Sequence, residues 1–414
     1  MKSVYIETYG CSANQAHVET MEGALVANGF KSVSAPDKAD AIIINTCVVK
    51  SPTENKIRDR LNFLVKKYPR KKLIITGCAA DTGLFRKLVP HALFLSSHKA
   101  GEIARLLSGQ PKETDKKVRR NPMVGITEIS SGCLGNCSYC ITKLARGDLK
   151  SKPPDEITSE VRASIAEGCR EIWITSQDCG CYGLDIGTNI AKLIEKISSI
   201  GGEFRIRIGM MNPAYIKPII KELLDAYQNP KVYKFAHIPV QSGSDKILKA
   251  MRRGYTVRDF KNIIRSFRKV IPDVTLSTDI IVGFPGESES DFEKTLGLIK
   301  RLKPDIVNIS KFGPRPGTEA AKMEQVDNKI VKERSAKLAE VTRNICLGKN
   351  RRWIGKECGI LVTEGGKGRR QLMGRNECYK PVIIEGKRNL LGLFFKVKIA
   401  QAGQTCLFAK IIRS

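Results

Sequence analysis

The sequence is short of acid. Its 414 residues carry 42 Asp and Glu against 71 Lys and Arg, a formal net charge of +29. Self-repulsion of that size is usually offset by a polyanion, so nucleic acid leads as partner and an anionic membrane surface is the rival. Long apolar runs are also missing. No stretch approaches the ~18 residues of a spanning helix. MKSVYIETYG opens directly into a strand pattern, with no apolar leader and no small-residue cleavage site. The expectation is a cytoplasmic protein with no membrane partner. Histidine is scarce, and His17, His91, His98 and His237 form no motif. His237, inside a strand pattern, reads as a hydrogen-bonded core residue. Cysteine is plentiful, with 13 in the chain. In a reducing compartment an odd, high count points to metal ligation or redox chemistry rather than to disulfides. Hydrophobic residues make up 42% and mean hydropathy is −0.21, as in a soluble protein with real cores.

Residues 1–110 alternate short apolar runs with helix-like stretches. VYIETYG, AIIINT and LIITG read as buried parallel strands, each followed by a helical pattern. The basic, proline-bounded stretch PKETDKKVRRNP (111–122) reads as a linker, its charges most simply solvated. From 123 to 318 the rhythm resumes with six candidate strands: VGITEIS, EIWITS, FRIRIG, YKFAHIPV, VTLSTDIIVG and DIVNISKF. Alternating βα units imply a parallel sheet. Six strands fall short of the eight that close a full barrel, so an open, partial barrel is expected. A charged helical segment (319–352) leads to residues 353–414. There ECGILVTE, KPVIIEG, LGLFFKVKIA and TCLFAKII alternate between glycine-rich turns, which predicts a small antiparallel barrel. From Lys349 to Ser414 there are 15 Lys and Arg against four Asp and Glu. Such a barrel reads as a nucleic-acid-binding module, the rival being a solubilising cap. The fold class is α/β throughout the first two regions.

SGCLGNCSYC (131–140) places Cys133, Cys137 and Cys140 on the loop that leaves the first barrel strand. Parallel βα barrels keep their chemistry on such loops. Structural zinc would want four N or S ligands, and no fourth Cys or His follows closely. Iron–sulfur cubanes are also normally held by four thiolates, so three leave one iron open. CLGNCSYC resembles the signature of the radical S-adenosylmethionine (SAM) enzymes. That resemblance implies a partial βα barrel and a 4Fe-4S cluster whose open iron is chelated by SAM. It also implies reductive cleavage of SAM to a deoxyadenosyl radical, with Tyr139 packed near the adenine.

Cys11, Cys47 and Cys78 lie far apart in sequence but alike in context. Each follows a predicted parallel strand, in VYIETYGC, AIIINTC and LIITGC. Loops on the carboxyl edge of an open α/β sheet lie together, so the three would converge. Buried packing is the alternative for each alone. TYGCSAN, NTCVVK and TGCAA resemble the N-terminal domain of the methylthiotransferase branch of radical SAM enzymes, where three such cysteines carry a second open 4Fe-4S cluster. WIGKECGILVTEGGKGRRQLMGR is similar to that family's C-terminal TRAM domain, an RNA-binding barrel. The resemblance spans essentially the whole chain, in the family's domain order.

The chemistry so implied replaces an unactivated C–H by C–S–CH₃. General-base catalysis has little purchase on such a bond, so the protein positions and shields a radical. An electron donor and a sulfur donor are required partners. For SAM, the resemblance points to Gln177 and Asp178 after the second barrel strand and to Gln241 and Ser242 after the fourth. Gly283 and Pro285 shape the loop after the fifth. The basic C-terminal barrel favours tRNA as substrate. TSQDCGCYGLDIG resembles the branch acting on threonylcarbamoyladenosine at position 37, which has Thr and Ala where this chain has Cys179 and Cys181. These two read as packing thiols. Arg207 or Arg315 would pair with the carboxylate of the threonylcarbamoyl group. The alternatives are methylthiolation of isopentenyladenosine in tRNA or of a ribosomal-protein aspartate, and, outside enzymes, a non-catalytic iron–sulfur RNA-binding protein. Cys169, Cys346, Cys358, Cys378 and Cys406 show no ligand spacing and read as structural.

Overall fold

The most apolar run of the N-terminal region, AIIINT, is the central strand of a parallel sheet. β1 (Ser3–Thr8), β2 (Lys31–Ser32), β3 (Ala41–Thr46), β4 (Lys72–Gly77) and β5 (Leu93–Phe94) lie in the order β2-β1-β3-β4-β5. The computed structural model describes residues 2–413 except 110, 111, 113 and 115, so the linker expected over 111–122 falls partly outside the described residues. Helices cover both faces of the sheet. Ile43 packs with Val18 and Met21 of α1 (Ser12–Ala27), while Ile42 and Ile44 pack with Ile57 and Leu61 of α2 (Ser51–Lys67). Burial on both faces is why β3 shows no alternation. The two-residue edge strands β2 and β5 are too short to show a period, and the sequence pattern missed them.

All six strands expected in the middle region are present. β6 (Val124–Glu128) is followed by a short hairpin, β7 (Ser130–Ser131) and β8 (Lys150–Ser151), that brackets the CLGNCSYC loop. β9 (Glu171–Thr175), β10 (Arg205–Ile208), β11 (Phe235–His237), β12 (Thr275–Val282) and β13 (Ile306–Lys311) complete the set. β10-β9-β6 and β11-β12-β13 are parallel sheets, joined by a parallel bridge between Ile206 and Val232. The result is an open six-stranded arc. One face of its strands, with Ile172, Ile174, Ile206 and Ile208, belongs to the large core under the covering helices. Residues of the other parity carry the polar and aromatic groups. There Arg207 lies over Trp173 and Phe235, and His237 is 3.0 Å from Asp279.

The open side of the arc is filled by the N-terminal region. α1 packs on β6 and β9, with Ala16 against Val124 and Ile126. His17 Nε2 lies 2.8 Å from Glu128 Oε2. Gly23 of α1 admits the linker backbone, since a Cβ there would come 1.8 Å from the Lys116 carbonyl oxygen. The KKVRR charges are not simply solvated. Arg119 donates to Glu19 at 3.2 Å and Ser164 at 2.7 Å, and Lys117 pairs with Glu160. These pairs staple the two regions together. They could not be read from the sequence because their partners lie on distant helices.

A long helix, Asn328–Arg351, leads to a closed barrel of order β14-β15-β16-β18-β17. Its strands are β14 (Glu357–Gly365), β15 (Gln371–Asn376), β16 (Pro381–Glu385), β17 (Phe394–Ala402) and β18 (Leu407–Arg413). β15, QLMGRN, was not expected. Gly374 interrupts its pattern because the Leu361 carbonyl passes 2.8 Å from where a Cβ would sit. The barrel docks near the amino ends of the arc strands. Buried Lys380 donates to Asp305 at 2.8 Å, and Tyr379 packs on Tyr233 and Phe235. No helix among the described residues is long and apolar enough to cross a membrane.

Candidate functional site

The register of the N-terminal sheet sets the first group of thiols. Thr46 pairs with Gly77 across β3 and β4, so Cys47 and Cys78 leave adjacent strands at the same height. Thr8 of β1 pairs with Asn45, which puts the Cys11 loop beside them. Asn14 ties these loops together by donating to the carbonyls of Tyr9 at 2.7 Å and Thr46 at 2.8 Å. Gly10, at φ +111°, is glycine because a Cβ would come 2.9 Å from Cys47 Cβ. Burial pushes the Cys47 thiol up to about 11, reinforced by the charges of Cys78 and Cys11. The three thiols therefore share one neighbourhood. Cys47 and Cys78 are buried and Cys11 is exposed.

The second group sits on the loop between β7 and α5 (Ile141–Arg146). Gly135 N donates to Cys133 Sγ at 3.2 Å, and Gly135 lies between the Cys133 and Cys137 sulfurs. Ser138 pins the loop by donating from Oγ to the Ala250 carbonyl at 2.8 Å. Tyr139 packs edge-on against Phe284, with ring centroids 6.1 Å apart, and burial raises its phenol. Cys140 is the N-cap of α5 but makes no capping hydrogen bond with its side chain.

Each group has a buried arginine that the sequence reading missed. Arg253 donates to Cys137 Sγ at 3.2 Å and to Tyr255 Oη at 3.2 Å, and its Nη2 has no partner. Arg146, at the end of α5, is 4% exposed. It donates to Asn14 Oδ1 at 3.3 Å, while Nε and Nη1 are buried without partners. Burial pushes the Cys78 thiol up, and Arg146 beside it pulls the thiol back. Arg146 thus reaches from the helix that follows one set of thiols to the other set. Neither arginine sits in a motif, so only spatial proximity reveals them.

Both groups suit an iron–sulfur cluster. Thiols gather beside Gly10 and Gly135, and the buried guanidinium groups of Arg146 and Arg253, each with an unpartnered N–H, lie next to them, as an anionic cluster would need. Among the described residues one set of metal-ligating atoms lies within 4.8 Å of one another, Cys133, Asp178 and Cys181, and neither cysteine triad is drawn in that closely. Cys181 donates to the Asp178 carbonyl at 3.2 Å, and the neighbouring Cys133 together with burial pushes its thiol up. Cys179 is packed: burial raises its thiol to about 11, and Ser176 donates to it at 3.4 Å. Asp178 accepts from Gly180 N and Asn212 N, and burial raises its carboxyl to about 6. Gln177 and Gln241 have buried amide oxygens without partners, and Gln241 holds φ at +68°. Ser242 points away into the fold, against Thr295 at 3.4 Å. Arg315 is committed to Glu54 at 2.6 Å, near Cys47. Arg207 lies among Trp173, Phe235 and Tyr379 with an unpartnered Nε.

Residues 127–299 match the radical SAM superfamily, and residues 3–89 match the uncharacterized protein family UPF0004. A probable threonylcarbamoyladenosine tRNA methylthiotransferase of Pyrococcus horikoshii is 43% identical over the full length of both chains. The chain belongs to the threonylcarbamoyladenosine tRNA methylthiotransferase family. The family's member from Drosophila melanogaster is 36% identical, over 99% of this chain and 78% of its own length. Among solved structures, the radical SAM methyltransferase TsrM of Kitasatospora setae superposes with a TM-score of 0.58 at 14% identity, over 78% of this chain and 77% of that one. That likeness shows a shared fold.

Proposed function

We propose that the protein replaces the hydrogen on carbon 2 of threonylcarbamoyladenosine at position 37 of tRNA with a methylthio group. In this reading Cys133, Cys137 and Cys140 hold one 4Fe-4S cluster, and Cys11, Cys47 and Cys78 hold another. When bound, the first would supply reductive cleavage of SAM and the second would present sulfur. The observation that carries the reading is Arg146, which follows the first set of thiols in α5 and lies beside Cys78 of the second, donating to Asn14 between them at 3.3 Å. One shared chamber is what a radical made at one set and a sulfur held at the other would require.

The chain's own groups then bind and shield. Gln177 and Gln241 offer unpartnered oxygens to the polar end of SAM, and Asp178 stands beside Cys133. Tyr139 and Phe284 close a buried aromatic wall. An electron donor and a sulfur donor complete the partners. The C-terminal barrel, with its excess of Lys and Arg, supports tRNA binding, which weakens steeply with salt. The test is anaerobic incubation of reconstituted protein with SAM, reductant, sulfide as sulfur donor and anticodon stem–loop RNA, with or without the threonylcarbamoyl group. Mass spectrometry should find a methylthio adduct only on the threonylcarbamoylated RNA. SAM cleavage without that adduct would overturn the reading.

A further inference from the structure

We propose that the modified adenine is seated in a cavity of about 310 Å³ where the N-terminal sheet, the strand arc and the C-terminal barrel meet, stacked on Trp173 with its carboxylate on Arg207. This rests on the reading above and names its substrate pocket. All three regions contribute walls: Thr8, Gly10 and Gln15 from the first, Val124, Ile126 and Trp173 from the arc, and Glu364 from the barrel. The volume lies at the lower end of the range for small-molecule sites, about 300–1,000 Å³, and suits one base with its substituent.

Gly10, in the cavity wall, packs directly on Cys47. A base there would lie against the second set of thiols. The Thr8 hydroxyl, in the same wall, is buried and has no hydrogen-bond partner. Trp173 forms another part of the wall. Its indole N–H is taken by Glu171 at 2.5 Å and Arg207 lies 5.7 Å from its centroid, so the ring is held in orientation where it lines the cavity. Stacking on an aromatic ring is the usual way a protein holds an unpaired base.

Register places the carboxylate partner. Ile126 pairs with Trp173, and Trp173 with Arg207, so the three stand in one row across adjacent strands. Neighbouring strands are about 4.8 Å apart. Arg207 thus stands about one strand spacing beside the stacking platform, within reach of a substituent carried by the base. Its guanidinium lies among the rings of Trp173, Phe235 and Tyr379, its Nε is buried and unpartnered, and no carboxylate among the described residues forms an ion pair with it. A half-buried guanidinium with a free donor and no anion is a carboxylate site.

The chain has only two tryptophans, Trp173 and Trp353, so emission can be assigned. The full-length protein would be titrated with anticodon stem–loop RNA carrying either threonylcarbamoyladenosine or adenosine. Quenching of the wild type by the first RNA, absent in Trp173→Phe, is expected. Trp173→Leu should weaken binding of that RNA roughly tenfold, and Trp173→Phe should retain it. Arg207→Gln should erase the preference between the two RNAs. If the wild type prefers the threonylcarbamoylated RNA but both Trp173→Leu and Arg207→Gln keep that preference, this pocket is wrong and the function stands. If the wild type neither prefers nor methylthiolates it, the function itself fails.

Discussion

Replacing Cys140 with alanine is expected to abolish SAM cleavage, a loss of more than about 10³-fold or ~4 kcal/mol in barrier terms. Stem–loop binding should remain within about twofold, because the C-terminal barrel is remote from the substitution. Cys140 is a clean probe. It opens α5 without a side-chain capping bond, so alanine removes a ligand and little else. Counting 5′-deoxyadenosine under reducing conditions, with anisotropy for RNA, checks both halves. Cleavage that persists would remove the first cluster from the account.

The second large effect belongs to Arg146→Met, which keeps length and removes charge. Arg146 is buried between Asn14, Cys78 and Glu128. Arg146 forms no ion pair among the described residues, so what is lost is its charge-assisted hydrogen bond to Asn14, roughly 1.5–3 kcal/mol. Glu128 keeps His17, so the loss should concentrate at the junction and at Cys78. The expected outcome is that methylthio transfer falls to background while SAM cleavage continues, with a lowered melting temperature. Full transfer in this variant would show that the charge is not needed at the second set of thiols.

That Cys11, Cys47 and Cys78 come together was legible because each follows a strand and strand ends in parallel folds converge, whereas Cys133, Cys137 and Cys140 share one loop. The six arc strands were legible for the same reason: buried βα units alternate in hydrophobicity with a fixed rhythm. Arg146 and Arg253 were not. A lone arginine carries no period, and its role comes from burial beside a sulfur that is distant in sequence. Ser242 shows the reverse. Its position after a strand suggested a cofactor contact, yet the loop turns it inward to Thr295. Cys181 was read as packing alongside Cys179. Both are fully buried, as packing thiols would be, and Cys181 also lies within 4.8 Å of Cys133. The linker arginines read as solvated charge because glutamates on two separate helices neutralise them.

The central claim is that one chain holds two incompletely ligated cubanes. Anaerobic reconstitution followed by iron and sulfide counting tests it most directly, in the wild type, Cys47→Ala and Cys137→Ala. The account predicts about eight irons per chain for the wild type and about four for each variant. About four irons in the wild type, unchanged by Cys47→Ala, would contradict it.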